Sequence, residues 1–197
     1  EQDDIDMETL PWREHPHLLE DIYTFEDAIV DGLALITFLK HADRVKIAAL
    51  AQLVNVIAPI MTEEDGKAWR QTIFYPFYHA SKYGRGISLH PVLQSSVHNT
   101  SGHENVTDVD AACVWNEEKQ LLTVFAVNRC LKDDADFEIN LHGFEGYQLK
   151  EWQALENADL KAVNSAQGEK VHPIAKQGEG TSFTLSPASW NVLVFEK

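Results

Sequence analysis

Cysteine is nearly absent from this chain: Cys113 and Cys130 are the only two among 197 residues. Two thiols without a short metal-type spacing cannot build the dense disulfide framework of a small secreted module, and they point to a reducing compartment. Basic residues are also scarce, with 16 Lys and Arg against 31 Asp and Glu and a formal net charge of −15. A field of that sign repels phosphate backbones and anionic lipid, so neither nucleic acid nor a membrane surface is expected as a partner. Long apolar runs are missing too. The longest, residues 28–39, is interrupted by Asp31 and falls well short of the roughly 20 residues that a membrane span needs. The chain opens Glu1-Gln2-Asp3-Asp4, without a basic and apolar leader, so no signal peptide is read and Glu1 is expected not to be the natural start. What remains is an ordinary globular composition, 44% hydrophobic with 10 Gly and 7 Pro, enough for a sizeable core in one or two domains.

Residues 1–18 are acidic, then contain Pro and His without a sustained period, and read as a loop. At Thr24-Phe25-Glu26-Asp27 the hydroxyl and the following carboxylates form a capping-box pattern, which predicts a helix start. Ile29, Leu33 and Ile36 follow helical spacing to about His41, while Val30, Leu35 and Leu39 make other faces apolar, so this helix needs packing partners on several sides. Residues 45–51 form a short continuous apolar run ending at Gln52, the pattern of a buried parallel strand. A second helix is expected over 67–83, with Pro76 kinking it and Gly84 capping its end. After Gly86 the pattern changes to short runs at 111–115, 121–127, 137–141, 147–155, 181–185 and 190–195, separated by polar or Gly turns. Six such strands predict a β-sandwich or jelly roll. The change of pattern near residues 86–91 divides the chain into 1–88 and 89–197. A single parallel strand has unpaired edges on both sides, so the first part reads as the end of a larger α/β domain.

Few residues advertise chemistry. Glu26-Asp27 suits a helix N-terminus, Glu117-Glu118 suits a hairpin turn, Glu63-Glu64 carries no specific signal, and Glu20-Asp21 is the least explained acidic pair. His15-Pro16-His17 lacks further ligands at metal spacing, and Asp3-Asp4-Ile5-Asp6 and Asp108-Val109-Asp110 lack the glycine and terminal glutamate of a calcium loop, so no metal or cofactor is expected. A turn centred near Glu118 places Cys113 opposite Thr123 or Val124, short of Cys130, which argues against a disulfide. Asn99-Thr100-Ser101 and Asn105-Val106-Thr107 match the glycosylation acceptor pattern, which is uninformative without a secretory route. Gln52 is the residue of interest. Ligands of parallel α/β folds gather beyond the C-terminal strand ends, an amide can both donate to and accept from sugar hydroxyls, and Asn55 lies in the same loop.

The segments Leu18-Leu19-Glu20-Asp21-Ile22-Tyr23-Thr24-Phe25-Glu26-Asp27, Lys40-His41-Ala42-Asp43-Arg44-Val45 and Leu50-Ala51-Gln52-Leu53-Val54-Asn55-Val56-Ile57-Ala58-Pro59 closely resemble the C-terminal half of α-L-arabinofuranosidases of glycoside hydrolase family 51. Trp69-Arg70-Gln71-Thr72-Ile73-Phe74-Tyr75-Pro76, Val124-Phe125-Ala126-Val127-Asn128-Arg129 and Ser189-Trp190-Asn191-Val192 extend the resemblance, which is looser over 92–109 and 154–180. It implies the C-terminal part of a (β/α)8 barrel followed by a jelly-roll β-sandwich, in a retaining glycosidase that works with two glutamates. By the same resemblance both glutamates precede the segment matching Leu18, so no catalytic residue is expected here. Gln52 matches the glutamine that hydrogen-bonds the arabinofuranose in the −1 subsite. The implied partners are arabinofuranosyl oligosaccharides of arabinan or arabinoxylan and further copies of the same enzyme, in the cytoplasm. The alternative is a non-catalytic sandwich that binds carbohydrate or a protein through exposed aromatics, for which Trp115, Trp152 and Trp190 are the candidates, although Trp115 and Trp190 fit core positions.

Overall fold

The computed structural model describes residues 20–197. The expectations placed on residues 1–18, including His15-Pro16-His17 and Asp3-Asp4-Ile5-Asp6, lie outside them. Helix α1 (Phe25–Lys40) begins at the expected capping box: Thr24 Oγ1 accepts from the Asp27 amide at 3.4 Å, and the Asp27 carboxylate accepts from the Thr24 amide at 2.7 Å. The next two amides, of Phe25 and Glu26, donate to Ala162 and Leu160 carbonyls at 2.9 Å. Donors that every helix start leaves free are thus taken up by a segment far along the chain.

The strand expected over residues 45–51 does not form. These residues have no regular structure, and Ile47 is 88% exposed. A strand needs lateral hydrogen-bond partners, and among the described residues none lies alongside; the one parallel contact is an isolated bridge from Val54 to Ile60. The second helix is also shorter than expected. Residues 60–70 instead form a hairpin of β1 (Ile60–Thr62) and β2 (Ala68–Arg70), and helix α2 spans Phe74–Tyr83. Pro76 therefore sits in the first turn of α2, where its missing amide costs nothing and no kink results. Gly84 ends α2 as expected, its amide donating to the Ala80 carbonyl.

The remaining strands are β3 (Ile87–Leu89), β4 (Val97–His98), β5 (Val106–Thr107), β6 (Val109–Asn116), β7 (Leu121–Asn128), β8 (Ala135–Glu138), β9 (Gln148–Leu155), β10 (Ile174–Ala175), β11 (Ser182–Leu185) and β12 (Ser189–Glu196). Six of them form an antiparallel sheet in the order β10-β9-β12-β7-β6-β3, and β8 pairs with β11. All six strands read after Gly86 are present, and Cys113 pairs with Val124, leaving both cysteines free. Side chains alternate across the sheet. Leu122, Val124, Ala126, Leu193 and Phe195 face Phe137, Phe183 and Leu185, which makes the β-sandwich. Val114, Phe125, Val127, Trp190, Val192 and Val194 face Phe25, Ala28, Ile29 and Ile36 of α1 and Tyr75 of α2. Strands β7 and β12 are consequently buried on both faces. The boundary drawn between residues 88 and 89 falls inside β3, and α1 shares one core with the sheet.

Helix α1 lies close against the sheet at Gly32. A Cβ there would stand 2.6 Å from Trp190 Cε3, and the indole is fully buried. Close packing leaves no room for the ring to retreat, so Gly32→Ala should destabilise the chain by about 1–3 kcal/mol despite the better helix propensity of alanine. Urea denaturation checks this, with Ala34→Ser on the exposed side of α1 as a nearly silent control.

Candidate functional site

Gln52 lies in the connection between α1 and β1, exposed, with φ of 56°. Its side chain has no hydrogen-bond partner among the described residues, so the amide is free for a ligand. Asn55 and Val56 are also left-handed, with φ of 62° and 65°. Such conformations cost non-glycine residues about 1–3 kcal/mol each and persist only where the surroundings impose them. Here the surroundings are explicit. The carbonyls from Asn55 to Ile60 accept, in order, from the Ala58 amide, the Asp21 amide, the Tyr23 hydroxyl, Gln71 Nε2, the Gln71 amide and the Asn55 amide, at 2.8–3.1 Å. Six bonds at about 1 kcal/mol net each are of the size needed to hold three strained residues. The Asn55 side chain is not available to a sugar as the sequence suggested: its Oδ1 accepts from the Thr62 amide at 2.7 Å and its Nδ2 donates to Thr62 Oγ1 at 2.9 Å.

Gln71 is the hub of this arrangement. It is 2% exposed; its Oε1 accepts from the Tyr23 amide at 3.1 Å, and its Nε2 donates to the Asp21 and Ala58 carbonyls at 3.1 and 2.9 Å. One side chain therefore ties the segment before α1 to the Gln52 loop, and Asp21 of the unexplained acidic pair acts through its backbone. Beyond Gln71 lies the long connection 156–173. Asn164 Nδ2 donates to the Arg70 carbonyl at 2.9 Å, the Glu169 carboxylate accepts from Arg70 N and Nε at 3.1 and 3.0 Å, and Tyr75 donates its hydroxyl to Glu169 at 2.6 Å. Burial works against the charged Glu169 carboxylate, but the bonds from Tyr75 and Arg70 outweigh it and hold its pKa below the ordinary carboxylate range. Burial and the same carboxylate push the Tyr75 hydroxyl up. The sequence suggested no role for Gln71, Asn164 or Glu169, although Gln71 lies in a segment that carries the family resemblance, because each role is defined by a partner distant in the chain.

The other candidates stay apart. Asp27 caps α1, Glu26 pairs with Lys161 at 2.8 Å, and Glu63-Glu64 and Glu117-Glu118 occupy hairpin turns. Asp108 pairs with His98 at 2.6 Å, and Asp110 pairs with Lys40. Among the described residues no group of three or more His, Cys, Asp or Glu could hold a metal. The indoles offer no open platform: Trp190 is fully buried and donates to His79 Nδ1 at 3.1 Å, Trp152 donates to Asn191 at 3.1 Å, and half-buried Trp115 donates to the Tyr147 hydroxyl at 3.2 Å. Burial, with the nearby Lys82 charge adding to it, lowers the His79 pKa to about 4, so the ring stays neutral and can accept that bond.

A groove between α1, α2 and residues 45–50 is lined by Leu35, Phe38, Ile47 and Phe77, with Asp31 at its wall. Asp31 Oδ2 is buried without a hydrogen-bond partner among the described residues, and burial raises its pKa to about 6. Val30, Leu53 and Val54 add exposed apolar surface around the loop region.

The described residues thus form a β-sandwich whose outer face carries two helices and the Gln52 loop. The chain belongs to the alpha-L-arabinofuranosidase C-terminal domain family, whose model matches residues 3–189. It is 55% identical over 195 residues to the intracellular exo-alpha-(1->5)-L-arabinofuranosidase of Acetivibrio thermocellus, covering 95% of this chain and 38% of that protein. The corresponding enzyme 1 of Bacillus subtilis is 50% identical, with coverage of 98% and 40%. A solved family 51 alpha-L-arabinofuranosidase from Bifidobacterium longum superposes with a TM-score of 0.88 at 42% identity, covering 96% of this chain and 37% of that one. This chain thus spans well under half the length of the relatives it matches. No helix among the described residues is long and apolar enough to cross a membrane.

The Asp31 environment sets a pH dependence. Its folded pKa lies above the unfolded value of 3.8, so the penalty for burying the charge is complete above about 6 and fades as pH falls through that range. Asp31→Asn should raise the Tm of this chain by about 3 °C near neutral pH, and thermal scans should show the gain vanish by about pH 4.

Proposed function

We propose that this chain is the C-terminal portion of a retaining enzyme that releases terminal α-L-arabinofuranosyl residues from arabinan or arabinoxylan oligosaccharides. In that enzyme the part of the chain before β3 completes a (β/α)8 barrel, and the sheets from β3 onward form the sandwich on which α1 packs. The single observation that carries this reading is the free, exposed amide of Gln52 on a loop whose backbone is fixed at every carbonyl from Asn55 to Ile60. An amide at this place can donate to one furanose hydroxyl and accept from another in the −1 subsite, an interaction that gains value as the ring flattens toward the oxocarbenium-like transition state. Protonation of the leaving oxygen and formation of the glycosyl-enzyme belong to two glutamates outside this chain, which by itself is inactive.

The exposed apolar surface of residues 45–54 and the α1 groove supports the same reading, because it is surface that preceding barrel strands would cover. The names of the relatives support a cytoplasmic enzyme, and the complete protein is proposed to be a homo-oligomer. The sandwich as a separate carbohydrate-binding module has less support, since the three indoles that would form its platform are hydrogen-bonded within the fold.

The test uses the complete polypeptide carrying this chain, either the natural product or this chain joined to the preceding part of the Acetivibrio thermocellus relative. It should release arabinose from α-1,5-linked arabino-oligosaccharides, whereas the 197-residue chain should not. Gln52→Ala should lower kcat/KM about tenfold, the loss of one to two sugar hydrogen bonds, with the Tm unchanged. An unchanged kcat/KM would remove Gln52 from the subsite.

A further inference from the structure

We propose that the sandwich positions Gln52: the connection 156–173, through Asn164 and Glu169, fixes the Arg70–Gln71 peptide and thereby the loop that presents the sugar-binding amide. This inference rests on the assignment of Gln52 to the −1 subsite and deepens it.

The transmission element is one planar peptide unit. Its carbonyl, that of Arg70, accepts from Asn164 Nδ2 at 2.9 Å, and its amide, that of Gln71, donates to the Pro59 carbonyl at 2.8 Å. A plane held at both edges cannot rotate without breaking one bond or the other. Asn164 is itself immobilised, 3% exposed, with Nδ2 also donating to the Val171 carbonyl at 2.7 Å and Oδ1 accepting from the Val171 amide at 2.8 Å. Glu169 fixes the preceding peptide by accepting from the Arg70 amide and grips the guanidinium with the same oxygen, while Tyr75 from α2 holds its second oxygen. On the far side of the plane the Gln71 side chain grips Ala58, Asp21 and Tyr23. The connection leaves β9, a strand of the large sheet, and returns to it at β10. The sheet therefore sets where the connection lies, the connection sets Arg70, and Arg70 sets the loop.

Glu169 and Asn164 are positioning residues in this scheme, since neither would touch the sugar. A purely structural role would lower the Tm and leave turnover per folded enzyme unchanged. A positioning role lowers kcat/KM per active site, counted by the burst of glycosyl-enzyme formation, and does so through Gln52. In the complete polypeptide Glu169→Ala should reduce kcat/KM about threefold, and Glu169→Gln, which keeps the acceptor for Arg70, should restore most of it. In a Gln52→Ala background Glu169→Ala should cause no further loss. Losses that multiply, or no loss from Glu169→Ala alone, would overturn the positioning role while leaving the subsite reading intact; a Gln52→Ala enzyme with full activity would overturn both. Amide exchange on the 197-residue chain gives a second readout that needs no catalysis. Glu169→Ala should speed exchange at Asn55, Ala58 and Gln71 and leave β7 and β12 protected, and unchanged exchange at those three amides would also overturn the proposal.

Discussion

Burial of the Trp190 indole is the constraint on which the rest of the arrangement depends. The ring fills the space between β12, Phe125 and α1, and it fits only because position 32 of the helix has no side chain. Its one polar atom donates to a neutral His79, so α2 is drawn onto the same face. Once α1 is seated at that depth, the position of its N-terminus follows, and the carbonyls of Leu160 and Ala162 meet the first free amides of the helix. Apolar packing in the sheet thus determines where residues 20–24 emerge, and those residues supply four of the contacts that hold the Gln52 loop or its hub.

The polar network shows why an exposed loop with three left-handed residues can be part of a stable fold. Loop backbone is usually solvated and mobile, whereas here its carbonyls from 55 to 60 are each matched to a donor from the protein. Gln71 supplies two of those donors, from its amide and its side chain, and a buried amide with all three of its side-chain hydrogen bonds made within the fold is rigid in a way that a surface glutamine is not. For the sugar contact proposed for Gln52 such rigidity is useful, because a hydroxyl rewards an amide only at hydrogen-bond distance and angle.

Much of the sandwich was legible in the sequence, since period-two alternation between polar turns records which side chains meet the two cores. The capping box at Thr24, the free cysteines and the Cys113–Val124 pairing were likewise local matters of spacing. Residues 45–51 were misread for an instructive reason. An apolar run encodes the readiness of a strand to be buried, but hydrogen-bonded neighbours must come from elsewhere, and none lies beside it among the described residues. Strand β2 was read as the start of the helix expected over 67–83, because the pairing of Met61 with Trp69 is a non-local fact. Gln52 was singled out as the end of a strand that does not form and through its resemblance to a family motif; the residues that hold the loop after it were not visible.

The sequence by itself determined the elements whose physics is local: the start of α1, the strands of the sandwich, the absence of a disulfide, and family membership through motifs spread along the chain. The tertiary structure alone decided that α1 covers the sheet, that Asn55 serves Thr62 instead of a ligand, and that Gln71, Asn164 and Glu169 form one chain of contacts ending at the Ala58 and Pro59 carbonyls of the loop that follows Gln52. The physical reason is the range of the interactions. Capping, alternation and turn chemistry act over a few residues and leave a periodic trace, whereas a buried amide finds its partners across 48, 50 or 94 positions and leaves none.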